Sequence, residues 1–368
     1  MRLLALLALA LYMARKANHM ADRSIPEEPM PQITLNRRSL GIGPEVSELC
    51  LGTMMFGAQT EPAMAEDMIA RFAEAGGRFI DTADVYADGR SEEIVGRAIA
   101  ARRDDWFLAT KVGNKLAGQP DSGGLSGRWI AEGLKRSLDR LGTETIDLYY
   151  LHRDDETTPL EEVIEALGLA LEDGKILHWG FSNFRAWKIA EMIRIADRLG
   201  VARPLAAQPY YHALYRLAEI DYLPACAHFG IGVVPYSPLA RGVLTGKYVG
   251  GIPEGSRAAR GDRRITETEF RPDLLAAAER VDAHARASGR RTADLAVRWV
   301  LENRIVSSVL IGPKSPEQLE AYLSGPGTDY TAEDETFIEG IVPVGAVVGN
   351  YADPAYPFRG RVTPLRDA

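Results

Sequence analysis

Four side chains able to move or hold a proton fall at the ends of apolar runs: Asp81, Tyr86, Lys111 and His152. Each alone has an ordinary explanation. A strand-end Asp can cap the next helix, a Tyr after a strand can simply pack, a Lys can snorkel or pair, and a single His is commonly structural. Together they make an acid–base set. A lysine beside a tyrosine favours phenolate and lowers the phenol pKa from about 10, while a carboxylate keeps the lysine charged and in position. Such a phenol can protonate a developing alkoxide, and an imidazole can hydrogen-bond the same oxygen. The series continues with Ser182-Asn183, Gln208 and Tyr236-Ser237, again at the ends of apolar runs.

What must position these residues is a regular succession of elements. The predicted strands cover residues 48–53, 78–82, 106–112, 146–151, 176–181, 205–208, 231–236 and 307–311. Most are continuous apolar runs, as expected of a parallel sheet covered by helices. Amphipathic helices are predicted over 62–75, 126–141, 159–172, 184–199 and 292–302, most stopped by Gly, the last with Thr292 as its N-cap. Eight strand–helix units point to an α/β fold, a (β/α)8 TIM barrel in a single domain, with an open doubly wound sheet as the alternative. A strand pair near 32–35 and 45–49 would close the barrel bottom. In such a barrel the strand C-termini form the active face, where the polar residues fall.

Composition narrows the function classes. The 368 residues carry 43 Lys+Arg against 51 Asp+Glu, a formal charge of −8, which disfavours a nucleic-acid protein. With only Cys50 and Cys226, neither a disulfide framework nor a Cys-rich metal site is expected, and no metal is assigned. Leu3–Met13 is apolar but too short for a membrane span, which needs roughly 20 residues. Residues 1–30 read as an extension or a mis-started segment, residues 31–342 as the barrel, and 343–368 as a tail over its mouth. A cytoplasmic location is expected; export through a signal-like Met1–Ala17 is the alternative, opposed by Arg15-Lys16 where cleavage needs small residues.

The stretches FIDTADVY (residues 79–86), Thr110-Lys111, SLDRLG (137–142), IDLY (146–149), His152, GFSNF (180–184), Gln208 and VPYSPLARGVLTGK (234–247) resemble the aldo-keto reductase superfamily. The likeness runs from about Leu35 to Leu323. It implies an NAD(P)H-dependent reductase of aldehydes, ketones or sugar-like carbonyls on a (β/α)8 barrel. By motif, Tyr86 would be the general acid, Lys111 held by Asp81 would tune it, and His152 would orient the carbonyl. Ser182, Asn183 and Gln208 match positions holding the nicotinamide carboxamide, and Tyr236 the aromatic stacked on the ring. Ser237, Leu239, Gly242 and Lys247 match the pyrophosphate-side loop. Gly312, Lys314, Ser315 and Gln318 match the segment meeting the adenosine 2′-phosphate, which favours NADP with NAD as the alternative; Ser315-Pro316-Glu317 also reads as a capped helix start. Where the family often has Glu-Asn toward the adenine, this chain has Ala321-Tyr322.

Gly41-Ile42-Gly43-Pro44 begins like a dinucleotide fingerprint but precedes a strand, so it reads as a turn. Arg257, Arg260, Arg263 and Arg264 lie in a segment after the seventh strand that is either a solvated loop or a lid over the pyrophosphate. Candidate substrate-lining residues are Met55, Phe56, Trp106 and Tyr211, with Tyr351–Phe358 if the tail covers the mouth. Two other functions fit the same residues: an alcohol or aldose dehydrogenase, and a cofactor-sensing subunit resembling the barrel proteins that dock on potassium channels. A small-molecule carbonyl is the expected partner, and the residues carry no signal for oligomeric state.

Overall fold

A computed structural model describes residues 34–349, which belong to one compact unit. The N-terminal extension with Met1–Ala17, and the tail beyond residue 349 with Tyr351–Phe358, lie outside the described residues.

The first described elements are an antiparallel pair, β1 (Arg37–Ser39) and β2 (Glu45–Ser47). The first strand comes later than the 32–35 expected, because the turn sets the register. Leu40 N donates to Pro44 O (2.8 Å) and Gly43 N to Leu40 O (3.0 Å), so the residues immediately before the turn do the pairing. Gly41 takes a left-handed φ of 59°, and an added Cβ would lie 2.4 Å from Gly230 O. The glycine pair therefore serves a turn packed on the strand end. Leu40, fully buried, joins Cys50, Phe79, Ala109 and Leu148 in one core cluster and plugs that end of the barrel.

Eight parallel strands follow among the described residues: β3 (Leu49–Gly52), β4 (Phe79–Asp81), β5 (Phe107–Val112), β6 (Ile146–Leu151), β7 (Ile176–Ser182), β8 (Ala206–Gln208), β9 (Gly232–Val233) and β10 (Val309–Ile311). They are hydrogen-bonded in chain order, with β10 returning beside β3. Parallel bridges Val233–Val306 and Tyr236–Leu310 bring the β9 edge to the β10 edge, and Leu310 N donates to Pro235 O (3.0 Å). The sheet is thereby a (β/α)8 barrel. β9 is shorter than the predicted 231–236 because Pro235 has no amide to give the ladder.

The helices of the barrel are α1 (Pro62–Glu74), α2 (Arg90–Ile99), α3 (Gly127–Leu141), α4 (Leu160–Glu172), α5 (Ala186–Leu199) and α6 (Tyr222–Phe229). Between β9 and β10 come α7 (Arg263–Thr266), α8 (Pro272–Ala287) and α9 (Thr292–Glu302); after β10 come α10 (Pro316–Leu323) and α11 (Ala332–Ile341). Helix α3 illustrates the local logic. Ser126 Oγ accepts from Trp129 N (3.3 Å), Gly142 ends the helix in the left-handed region, and Ile130, Leu134 and Leu141 form its buried stripe. Gly96 of α2 is required by close packing, since a Cβ there would lie 2.3 Å from Leu141 O. Thr292 is not the N-cap of α9 but its first residue; its hydroxyl donates to Asp282 Oδ1 (2.5 Å) and ties α9 to α8. After α11 the chain runs along the loop beyond β8, where Arg216 N donates to Ala346 O (2.8 Å) and Tyr215 bridges Val347.

Candidate active site

Barrel geometry brings the strand-end residues together. Asp81 closes β4, Lys111 is the penultimate residue of β5, His152 follows β6, Ser182 closes β7 and Gln208 closes β8. Lys111, fully buried, donates from Nζ to Asp81 Oδ1, to Thr82 O (2.8 Å) and to Tyr86 Oη (3.4 Å). Gln208 Nε2 donates to the other Asp81 oxygen (2.9 Å). The Tyr86 and His152 rings meet edge to face, 5.8 Å between centroids. Tyr86 is held at the start of a tight turn: Ala87, Asp88 and Gly89 are consecutive left-handed residues with φ of 50°, 56° and 92°. The two non-glycine residues cost about 1–2 kcal/mol each, a strain the surrounding packing must offset.

A second set of bonds joins the neighbouring strand ends. Ser182 Oγ donates to Gln208 O (2.8 Å), and Asn183 Nδ2 donates to Ser182 Oγ (3.0 Å) and His152 O (3.1 Å). Tyr236 Oη donates to Asn183 Oδ1 (2.9 Å). Asn183 holds a left-handed φ of 61°, tolerated because its short side chain is anchored on both sides.

Electrostatics adjust the expectation for the phenol. Burial raises the Tyr86 pKa more than the Lys111 charge lowers it, and Asp81 adds to the rise. Tyr86 is therefore protonated across the physiological range, the form an acid needs. Burial alone would discharge Lys111, but Asp81 and then Tyr86 outweigh it and hold the ammonium charged. His152 is driven well below its ordinary value by burial, then by Lys111 and Arg153, so the ring is neutral; its Nδ1 is buried with no partner among the described residues. Asp84 is a further buried carboxyl beside the set, its pKa raised to about 7 first by burial and then by Glu92.

These groups open onto one continuous cavity of about 950 Å³. Asp81, Tyr86, His152, Ser182, Asn183, Gln208 and Tyr236 line one part. Ser237, Leu239, Gly242, Lys247, Gly312, Lys314 and Gln318 line another, as do Ala321 and Tyr322. Ser315 does not line it: its Oγ accepts from Gln318 N (3.4 Å) and caps α10. Gly242 leaves room for Lys247, whose Nζ would lie 2.7 Å from a Cβ there.

Of the residues expected to line a substrate, Met55 borders the cavity and three do not. Trp106 precedes β5, at the barrel end opposite the mouth, and stacks on Phe72 at 6.5 Å. Phe56 is fully buried in the turn that bridges to Thr60. Tyr211 packs on Trp299 and donates to Glu219 Oε1 (2.6 Å). Aromatic character alone does not separate core from cavity wall. Met54, Val85, Asn114 and Leu310 border the cavity without having been singled out by sequence.

The arginine cluster divides. Arg257, Arg260 and Arg264 line the cavity together with Arg241, whereas Arg263 is exposed and pairs with Glu267 (2.6 Å) on its own helix. The segment reaches across to the loop after β3, where Arg260 Nη2 donates to Gln59 Oε1 (3.3 Å). Lys247 is lowered by burial and then by Arg257, Lys314 and Arg260; Lys314 is lowered by burial and then by Arg260 and Arg257. Mutual repulsion among these cations is what a bound anion would relieve.

A parallel (β/α)8 barrel with an Asp–Lys–Tyr–His set at its strand ends and a cation-rich extension of the same cavity defines the class of protein. The aldo/keto reductase family model matches residues 48–340, and the chain belongs to that family. It is 37% identical over 285 residues to a protein of Oryza sativa subsp. japonica described as a probable voltage-gated potassium channel subunit beta, covering 75% of this chain and 86% of the other. A protein of Arabidopsis thaliana with the same description is also 37% identical over 285 residues, covering 76% and 87%. No helix among the described residues is long and apolar enough to cross a membrane, and none of their His, Cys, Asp and Glu side chains form a metal-binding group.

Proposed function

We propose that the protein is an NADP(H)-dependent reductase of aldehydes or ketones, with Tyr86 as the general acid. The observation that carries this is a single cavity lined by Asp81, Tyr86 and His152, with Lys111 bonded behind the first two, and by the Lys247, Arg257, Arg260 and Lys314 cations. Its volume lies at the upper end of the roughly 300–1,000 Å³ usual for ligand pockets, and its two chemical regions suit a nicotinamide nucleotide with a phosphate-rich remainder. When bound, the reduced nicotinamide supplies the hydride. Everything else falls to the chain. Lys247, Arg257, Arg260 and Lys314 would neutralise phosphate charge, while Ser182, Asn183 and Gln208 would hold the carboxamide through their hydroxyl and amide groups. Neutral His152 hydrogen-bonds the carbonyl oxygen, and Tyr86 Oη delivers its proton to that oxygen as negative charge develops. Lys111, fixed by Asp81, stabilises the charge left on the phenol oxygen.

Tyr86→Phe tests the assignment. The variant keeps the ring and loses only the hydroxyl, so kcat for carbonyl reduction should fall by about 10²–10⁴-fold with NADPH affinity nearly unchanged. Wild-type turnover in this variant would refute the acid role. The names of the relatives favour a second reading, a cofactor-sensing subunit of a channel. Negligible turnover on a broad carbonyl panel, with tight NADPH binding and co-purification with a membrane partner, would select it.

A further inference from the structure

One buried acid beside the site has no part in the proposed reaction. Asp84 lies two residues before Tyr86, and its backbone N donates to Lys111 O (3.2 Å). Its side chain is 2% exposed, and neither carboxyl oxygen finds a side-chain hydrogen-bond partner. The neighbouring cation is already engaged: Arg140 Nε donates to Glu92 Oε2 (2.6 Å), while Thr110 Oγ1 donates to Glu92 Oε1 (2.5 Å). Gly89, at the end of the turn that begins at Tyr86, leaves space for Arg140, whose Cδ would lie 2.7 Å from a Cβ there. The acid, the catalytic turn and the Glu92–Arg140 pair thus form one packed unit.

Charge counting indicates that this unit holds a proton. Asp81, Asp84 and Glu92 are three buried carboxyl groups facing two buried or half-buried cations, Lys111 and Arg140. The ionisable groups surrounding Asp84 come from every packed element: Tyr86 on its own loop, Glu92 on α2, Arg140 on α3, Lys111 on β5 and Tyr149 on β6. A buried carboxylate without a cation of its own is costly, so the third carboxyl is the one that takes up a proton.

We propose that Asp84 is a proton-storing positioning residue whose carboxyl, neutral or charged, sets how readily Tyr86 gives up its proton. The inference rests on the reading of Tyr86 as the acid. The sign follows from the neighbours. Neutral Asp84 leaves Lys111 to stabilise charge on the Tyr86 oxygen; ionised Asp84 opposes it, as a negative charge beside the phenol raises the phenol pKa. Because its own pKa is raised to about 7, the switch falls within the physiological range.

The test compares kcat for carbonyl reduction from pH 5 to 9 in wild type, Asp84→Asn, Asp84→Glu and Tyr86→Phe, together with difference infrared spectra of the protein alone between acid and alkaline pH. Wild type should lose about two- to fivefold in kcat through an inflection near neutrality. Asp84→Asn should lack that inflection and bring the alkaline limb to lower pH, and Asp84→Glu should restore it. The infrared difference should contain a protonated-carboxyl band absent from Asp84→Asn. A residue that only packs would change stability and leave the profile in place. Superimposable wild-type and Asp84→Asn profiles, or an unchanged carboxyl band, overturn the inference even where Tyr86→Phe is inactive. An active Tyr86→Phe instead removes the reading beneath it.

Discussion

Replacing Lys111 by Met separates the electrostatic role of the lysine from its bulk. Its Nζ lies 3.4 Å from Tyr86 Oη. At an effective dielectric of about 20, a full charge pair at that distance interacts by about 5 kcal/mol. Asp81 is bonded to the same ammonium and takes back part of this, leaving on the order of 2 kcal/mol of preference for charge on the phenol oxygen. Losing it should slow carbonyl reduction by about 30-fold, measured as NADPH oxidation at saturating substrate. The change should also leave Asp81 buried with Gln208 as its remaining donor. Burial already raises the Asp81 pKa against Lys111 and Gln208, and without Lys111 it acts with less opposition. A carboxyl whose folded pKa exceeds its unfolded value costs nothing below the unfolded pKa and progressively more as pH rises toward the folded one. Urea unfolding of Lys111→Met should therefore show a loss of about 3–5 kcal/mol near pH 8 and a smaller one near pH 5. A kcat within twofold of wild type would refute the phenol argument, and an equal loss at both pH values would refute the Asp81 argument.

Two further outcomes test the neighbouring reasoning. Arg260→Ala should weaken NADPH binding about tenfold in a fluorescence titration, less so at high salt, whereas Arg263→Ala, which removes an exposed one-turn ion pair, should leave it unchanged. Asp334→Asn should lower stability by about 2–3 kcal/mol at pH 7, because the carboxylate accepts from Arg290, His284 and Thr331 at the head of α11. Arg290 and those hydrogen bonds hold the Asp334 pKa well below its ordinary value. That stability is fully present above the unfolded pKa of about 4 and is lost only as pH falls through the much lower folded value, so the gap between the thermal melts of the two proteins should begin to narrow below about pH 4 and persist in part at about pH 3.

The legible part of this chain is the part governed by period and strand ends. Continuous apolar runs such as Ile146–Leu151 become the barrel strand with no shift in either boundary, since a strand buried on both faces writes itself as an uninterrupted run. A short helix such as α6, with Pro224 inside, lacks a period strong enough to announce it, whereas α10 is announced only by its cap sequence Ser315-Pro316-Glu317. β9 keeps only two of its six predicted residues, and its early end follows from Pro235, a residue whose consequence is local and could have been anticipated from its missing amide. The pairing of β1 depends on a turn that the apolar pattern does not encode.

Within the site, the decisive variable is the position of a residue along its strand rather than its type. Lys111 and Trp106 belong to the same stretch, five residues apart, yet Lys111 lies at the mouth end, bonded to the cavity-lining Asp81 and Tyr86, and Trp106 at the closed end, so only the first is tied to the site. The same rule explains why the polar series was readable and the aromatic series was not: a polar side chain at the end of an apolar run has few structural uses, whereas an aromatic has many. It also explains why Asp84 carries no sequence signal beyond its motif. Its significance comes from a shortage of cations around it, and that shortage arises only when α2, α3 and β5 bring Glu92, Arg140 and Lys111 together. Charge balance in a buried cluster is a property of the fold, and the proton it requires can be located only there.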